Sequence, residues 1–126
     1  MATTPNFAST VKSWAVSIGT ADTSRTAPTN VGTLATAGSN GSRIDELTIT
    51  AAGTSTANVV RIFLFNGTTY FLYQEVLITG ITPSASATSF TTTLTFNSFV
   101  IPSGWSVRVT TNNAETYHVS AFGGDF

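Results

Sequence analysis

The segment Ser89–Phe96, SFTTTLTF, places Phe90, Leu94 and Phe96 on one side of an extended chain and Thr91, Thr93 and Thr95 on the other. Successive side chains of a β-strand point to opposite faces, so this alternation predicts a strand with one buried and one solvated face. The same habit recurs along the chain, with threonine and serine rather than charge at the polar positions. Only 9% of the residues are charged, although 41% are hydrophobic; ordinary globular chains carry about a quarter charged residues. Neutral hydroxyls therefore supply the solubility. A chain of 126 residues patterned this way has the length for two packed sheets around one core and no second domain.

Alternation and β-branched or aromatic enrichment place about eight strands, separated by clusters of Gly, Asn, Pro and Ser. They are expected near Ser13–Ile18, Val31–Thr36, Arg43–Thr50, Val59–Phe65, Thr69–Ile78, Ser89–Phe96, Ser106–Thr110 and Thr116–Phe122. The fold class that follows is all-β: a single-domain antiparallel β-sandwich over residues 13–126, preceded by an N-terminal arm over residues 1–12. RIFLFNGTTYFLYQEV joins two alternating runs through Asn66-Gly67, a pair suited to the positive φ angles of a type I′ hairpin turn. Within it, Ile62 and Leu64 face one way, and Arg61, Phe63 and Phe65 the other. Apolar residues on both faces predict cover from a partner sheet and from another subunit. Thr20–Asn30 and Ile81–Thr88 lack a regular period and read as loops, while Pro102-Ser103-Gly104 is expected to turn the chain sharply.

Composition also limits the partners. The net charge is −1, and the basic residues Lys12, Arg25, Arg43, Arg61 and Arg108 are scattered. No footprint for a phosphate backbone results, and nucleic acid is not expected as a partner. No apolar run approaches the roughly 20 residues that span a bilayer, so no membrane association is expected. The first residues lack a basic n-region and a continuous apolar h-region; the expectation is synthesis in a cytoplasm without a secretory signal. There is no cysteine, which removes disulfides and thiolate metal sites. No cofactor and no metal is expected.

The residues that could carry chemistry are few. His118 is the sole histidine, and within Tyr117-His118-Val119 it alternates with apolar neighbours, which predicts an exposed structural residue. Asp45-Glu46 should point to opposite faces of a strand and form no catalytic pair. Asn40-Gly41-Ser42 and Asn66-Gly67-Thr68 match a glycosylation sequon, but Asn-Gly is also a favoured hairpin tip, and the turn reading is preferred. No phosphate-binding glycine loop, nucleophile elbow or calcium loop is present, and the chain is not expected to be an enzyme. Interface residues are more plausible. Pro5, Phe7 and Val11 are apolar anchors in the expected arm, and Trp105 follows the Pro-Ser-Gly turn. Phe122, Asp125 and Phe126 flank Gly123-Gly124, where the backbone can approach a neighbour closely. Trp14 is expected in the core. Trp105 reads either as core, as an interface anchor or as a sugar platform.

Two stretches, GSRIDELTITAAGTSTANVVRIFLFNGTTYFLYQEV (Gly41–Val76) and IPSGWSVRVTTNNAETYHVSAFGGDF (Ile101–Phe126), resemble a family of small virion proteins of tailed bacteriophages. The shared features are a Gly-Ser-Arg-Ile turn into a strand, an aliphatic hairpin with an Asn-Gly tip, a Pro-x-Gly-Trp segment and an Ala-Phe-Gly-Gly-Asp-Phe end. The resemblance implies a capsid decoration, or cement, protein: a sandwich or jelly-roll module bound in many copies to the outside of the head. The implied partners are the major capsid protein and further copies of the chain, as a homotrimer or, second, a dimer. The implied location is the capsid surface of the virion. The alternative is a carbohydrate- or receptor-binding module of a tail fibre or spike, with Trp105, Tyr70 and Tyr73 as its aromatic groove.

Overall fold

A computed structural model describes residues 9–126 of the chain. Pro5 and Phe7 lie outside the described residues. The described chain forms eight strands: β1 (Thr10–Ile18), β2 (Gly32–Thr36), β3 (Ser42–Ala51), β4 (Asn58–Phe65), β5 (Tyr70–Ile78), β6 (Thr91–Ile101), β7 (Ser106–Thr111) and β8 (Tyr117–Asp125). Every expected strand is present. The first begins three residues earlier than expected, so Thr10, Val11 and Lys12 belong to the sheet and not to an arm. The sixth runs on through Asn97 to Ile101.

The strands form two four-stranded antiparallel sheets, ordered β1-β8-β3-β6 and β2-β7-β4-β5. Successive strands cross between the sheets except in the β4–β5 hairpin, which gives the order of an eight-stranded jelly roll. The fold is thus an antiparallel β-sandwich of jelly-roll topology. Its core lies between the sheets, where Ile44, Leu47, Ile49, Val119 and Ala121 of the first meet Val60, Ile62, Val107 and Val109 of the second. β1 and β2 close one side of the sandwich. On the other side, Tyr73 of β5 packs on Phe99 of β6 at 4.8 Å between ring centroids, and Phe99 meets Phe96 edge-on at 4.8 Å.

Three local departures from the sequence expectation have physical causes. Asp45 and Glu46 do not point to opposite faces. A bulge sits between Ile44 and Glu46, and both Ile44 and Leu47 are in the core, so the two carboxylates between them face outward together. Arg43 Nε donates to Asp45 Oδ1 at 2.7 Å. The β4–β5 turn also differs. Only Gly67 has positive φ (97°), and Asn66 N–H donates to the Thr69 carbonyl at 3.3 Å. Gly67 and Thr68 are therefore the two central residues, with glycine first as a type II′ turn prefers. The Asn66 side chain shifts the turn by accepting from the N–H groups of Thr68 and Thr69 at 2.9 and 2.7 Å. Finally, the Thr20–Asn30 loop is ordered by its own aspartate: the Asp22 carboxylate accepts from the N–H groups of Ser24, Thr29 and Asn30 at 3.0, 2.7 and 2.8 Å. This loop lies over the outer face of the second sheet, where the Asp22 carbonyl receives the buried Arg61 guanidinium at 3.4 Å and Arg25 pairs with Glu75 at 2.5 Å.

Candidate functional site: the termini end and the sheet faces

The register sorts the outer face of the first sheet into four rows. Ser17–His118–Thr50–Thr91 and Ala15–Ser120–Thr48–Thr93 carry short polar side chains almost throughout. Thr48 bonds Thr93, and Thr50 bonds Thr91, each at 3.0 Å between hydroxyls. Cross-strand threonine pairs of this kind support a sheet without adding apolar surface. The other two rows differ: Ser13–Phe122–Glu46–Thr95 and Val11–Gly124–Arg43–Val100. Here Val11 is 89% exposed, Val100 52% and Phe122 48%. His118 is exposed in the hydroxyl rows, as expected.

The apolar rows lie at the end of the sandwich where both termini of the described chain emerge. The turns Gly38–Gly41 and Pro102–Trp105 and the hairpin tip occur there too. Trp105 N–H donates to the Pro102 carbonyl at 3.1 Å, closing the expected turn. Its half-buried ring stacks on Phe71 of β5, with centroids 6.0 Å apart and planes inclined by 13°. Phe126 is half-buried, its N–H donating to the Gly41 carbonyl at 3.1 Å. The structure thus gathers Val11, Trp105, Phe122, Asp125 and Phe126 at one end. Trp14 packs against the core from the inner face of β1.

Asp125 is an internal fastener. Its Oδ1 accepts from the Ser42 hydroxyl at 2.6 Å, that hydroxyl accepts from Gly38 N–H at 2.8 Å, and Lys12 Nζ stands 3.7 Å from Oδ2. The Gly123-Gly124 pair serves a close approach within the chain. A Cβ built on Gly123 would lie 1.8 Å from the Arg43 carbonyl oxygen. Phe122 does not cover the core; it points outward, because residues 121 and 123 occupy the inner face.

The opposite end is held by a polar cluster that sequence reasoning missed. Asn58 Nδ2 donates to Thr111 Oγ1 at 2.9 Å and to the Tyr117 hydroxyl at 3.1 Å, while its Oδ1 accepts from Asn113 N–H at 3.0 Å. The Tyr117 hydroxyl donates to Glu115 Oε1 at 2.7 Å, and the Thr56 hydroxyl donates to Glu115 Oε2. Burial pushes the Glu115 carboxyl up, but hydrogen bonds from Thr56, Tyr117 and Asn58 outweigh it and hold the group below the ordinary carboxylate range. Asp22 is also lowered, because three backbone N–H donors overcome its burial.

Both groups bind fewer protons folded than unfolded as pH falls toward 4, the ordinary carboxylate value of about 4 marking the unfolded chain. Their stabilisation is complete above that value and is lost as pH falls through the lower folded values. Glu115→Gln is expected to lower the urea midpoint at neutral pH by the equivalent of about 1–3 kcal/mol and to flatten the acid limb of stability against pH. An acid limb unchanged in the variant would remove Glu115 from this role.

Among the described residues, no three His, Cys, Asp or Glu side chains converge as a metal site. The class of protein defined here is a jelly-roll sandwich with a hydroxyl-rich sheet face and exposed apolar residues at its termini end and along β5. No protein-family model and no curated protein matches the chain. Of the aromatic groove envisaged for sugar binding, the three members do not converge. Trp105 stacks on Phe71, Tyr70 stacks on Phe65 at 4.3 Å, and Tyr73 packs on Phe99 at 4.8 Å.

Proposed function

We propose that this protein is a capsid decoration, or cement, protein of a tailed bacteriophage. In this reading it binds the outside of the assembled head as a homotrimer and stabilises the shell without catalytic turnover. The observation that carries the reading is the gathering of Val11, Val100, Phe122 and the Phe71–Trp105 pair at the end where both termini emerge. That end is the surface for the major capsid protein. Lys12, Arg43, Asp45 and Glu46 around it supply both signs of charge for register. The hydroxyl rows, on the same sheet face but toward its other end, keep a many-copy coat soluble. A ligand that binds only the assembled shell stabilises it by its binding free energy, and symmetric oligomers engage several shell subunits at once. The resemblance of Gly41–Val76 and Ile101–Phe126 to phage virion proteins points the same way.

Virions lacking the protein are expected to assemble and then release DNA at lower temperature or under osmotic shock. Adding back purified protein should restore them. Each apolar side chain of this size buried at a contact contributes about 1.5–3 kcal/mol, so the pair Val11→Asp and Phe122→Asp should reduce head binding tenfold or more while leaving the melting temperature near that of the parent. Equally robust heads without the protein, with host adsorption abolished, would instead support a receptor-binding module of a tail fibre or spike.

A further inference from the structure

Asn-Gly occurs twice in the chain, at Asn40-Gly41 and Asn66-Gly67. In such a pair the backbone nitrogen of the glycine can attack the preceding side-chain amide, because glycine has no Cβ to hinder the approach. The fold treats the two pairs differently. At Asn40-Gly41 the nucleophile is engaged. Gly41 is buried, its N–H donates to the Gly38 carbonyl at 3.0 Å, and its own carbonyl accepts from Phe126 N–H at 3.1 Å. A Cβ built on Gly41 would stand 3.0 Å from the Ile101 carbonyl oxygen, so this peptide is also packed against the end of β6.

At Asn66-Gly67 each of these conditions is reversed. Both residues are exposed at the tip of the β4–β5 hairpin. Among the described residues, neither Gly67 N–H nor the Asn66 side-chain NH2 meets an acceptor, so the attacking and leaving nitrogens are both free. The carbon between them is activated. Asn66 Oδ1 accepts from the N–H groups of Thr68 and Thr69 at 2.9 and 2.7 Å. Negative charge develops on this oxygen when Cγ is attacked, and paired backbone N–H donors stabilise such a tetrahedral intermediate.

We propose that Asn66 is a site of spontaneous deamidation, with water as the co-reactant, and that the fold spares Asn40. Gly67 N–H gives its proton to solvent, and the nitrogen electron pair forms a bond to Asn66 Cγ. The Cγ–Nδ2 bond then breaks, Nδ2 takes a proton from water and leaves as ammonia, and a five-membered succinimide remains. Water opens this ring at one of its two carbonyls. Breaking the bond from Gly67 N to Cγ gives aspartate; breaking the bond from Gly67 N to the main-chain carbonyl carbon gives isoaspartate, in which the backbone runs through Cγ. Either product adds a negative charge at the hairpin tip.

The test is to hold the purified full chain folded at mildly alkaline pH and to follow both asparagines by peptide mass spectrometry after brief tryptic digestion. Cleavage after Arg25, Arg43, Arg61 and Arg108 places Asn40 and Asn66 on separate peptides, and electron-transfer fragmentation distinguishes aspartate from isoaspartate. Asn66 should convert about tenfold faster than Asn40, because Gly41 must first give up a backbone hydrogen bond. In concentrated urea the two rates should converge. Equal rates in the folded chain, or the same excess at Asn66 in urea, would overturn the proposal.

Discussion

Gly123→Ala is expected to abolish or nearly abolish folding, with a loss of about 4 kcal/mol or more that exceeds most single substitutions. β8 lies between β1 and β3, and Gly123 sits opposite Ile44, beside the bulge that turns Asp45 outward. A methyl there would stand 1.8 Å from the Arg43 carbonyl oxygen, 2.8 Å from its carbonyl carbon and 3.0 Å from Ile44 Cα. All three obstacles are backbone. No side chain can swing away, so relief requires β3 and β8 to separate in the middle of a sheet. The matched control is Gly53→Ala, where a Cβ meets nothing within 4 Å. It should be neutral or stabilise by up to about 1 kcal/mol through the unfolded chain. Urea unfolding of both variants decides the matter. A Gly123→Ala midpoint equal to the parent's would mean that β3 and β8 do not approach as described.

The second large effect is expected at Tyr117, whose side chain is fully buried. Tyr117→Ala removes an aromatic ring from the core between Ala51 and Ile18, and a change of that kind costs about 3–5 kcal/mol. Tyr117→Phe keeps the ring but withdraws the hydroxyl that links Asn58 to Glu115. A smaller loss of about 1–3 kcal/mol follows, because those polar groups lose a buried partner. The ionisation gives an independent readout. Burial, reinforced by the hydrogen bond to Glu115, pushes the Tyr117 phenol up to about 12. An unfolded tyrosine ionises near 10, so the folded state holds this proton more tightly. The resulting stability is complete below about pH 10 and is lost as pH rises through about 12. Tyr117→Phe should be less stable than the parent at neutral pH and should lack this alkaline component. An identical alkaline limb in both proteins would show that the phenol is not buried as described.

The legible part of the fold was its strands. SFTTTLTF and RIFLFNGTTYFLYQEV carry their period of two locally, and every expected strand exists. The faces were legible for the same reason: Thr48, Thr50, Thr91 and Thr93 form the solvated rows, and Ile62 and Leu64 turn toward the partner sheet. The expected second cover for the hairpin took a form that sequence could not show. Phe63 is buried beneath its own chain, with Tyr70 edge-on at 5.8 Å, and the exposed apolar residues are on β5. Bulges also escaped notice. One extra residue turns both carboxylates of RIDEL outward, and its local sign is the break in alternation between Ile44 and Leu47.

Among the interface residues, the sequence supplied names but no common place. Val11, Trp105, Phe122, Asp125 and Phe126 were separate candidates until the β1–β8 and β8–β3 pairings brought their strands to one end. The C-terminal Gly-Gly-Asp predicts a close approach to a neighbour, and the approach is to Arg43 of the same chain. Asp22, Asn58 and Glu115 carried no signal, because an Asp in a loop and an Asn before a strand are common, and their value lies in what folds around them.

Sequence alone therefore determined the number of strands, their solvated faces and the position of one hairpin. Each follows from side-chain alternation and turn preference within about ten residues. Tertiary structure decided the strand order, the register, the bulges, the Gly123 contact and both polar fasteners. Of the six strand pairings, only β4–β5 joins neighbours along the chain. Ser42 and Asp125 lie 83 positions apart, and Asn58 and Tyr117 lie 59 apart. Period-two alternation is the same in every strand, so it says which side of a strand is buried but not which strand lies beside it. That choice is made by the packing of the two sheets as a whole.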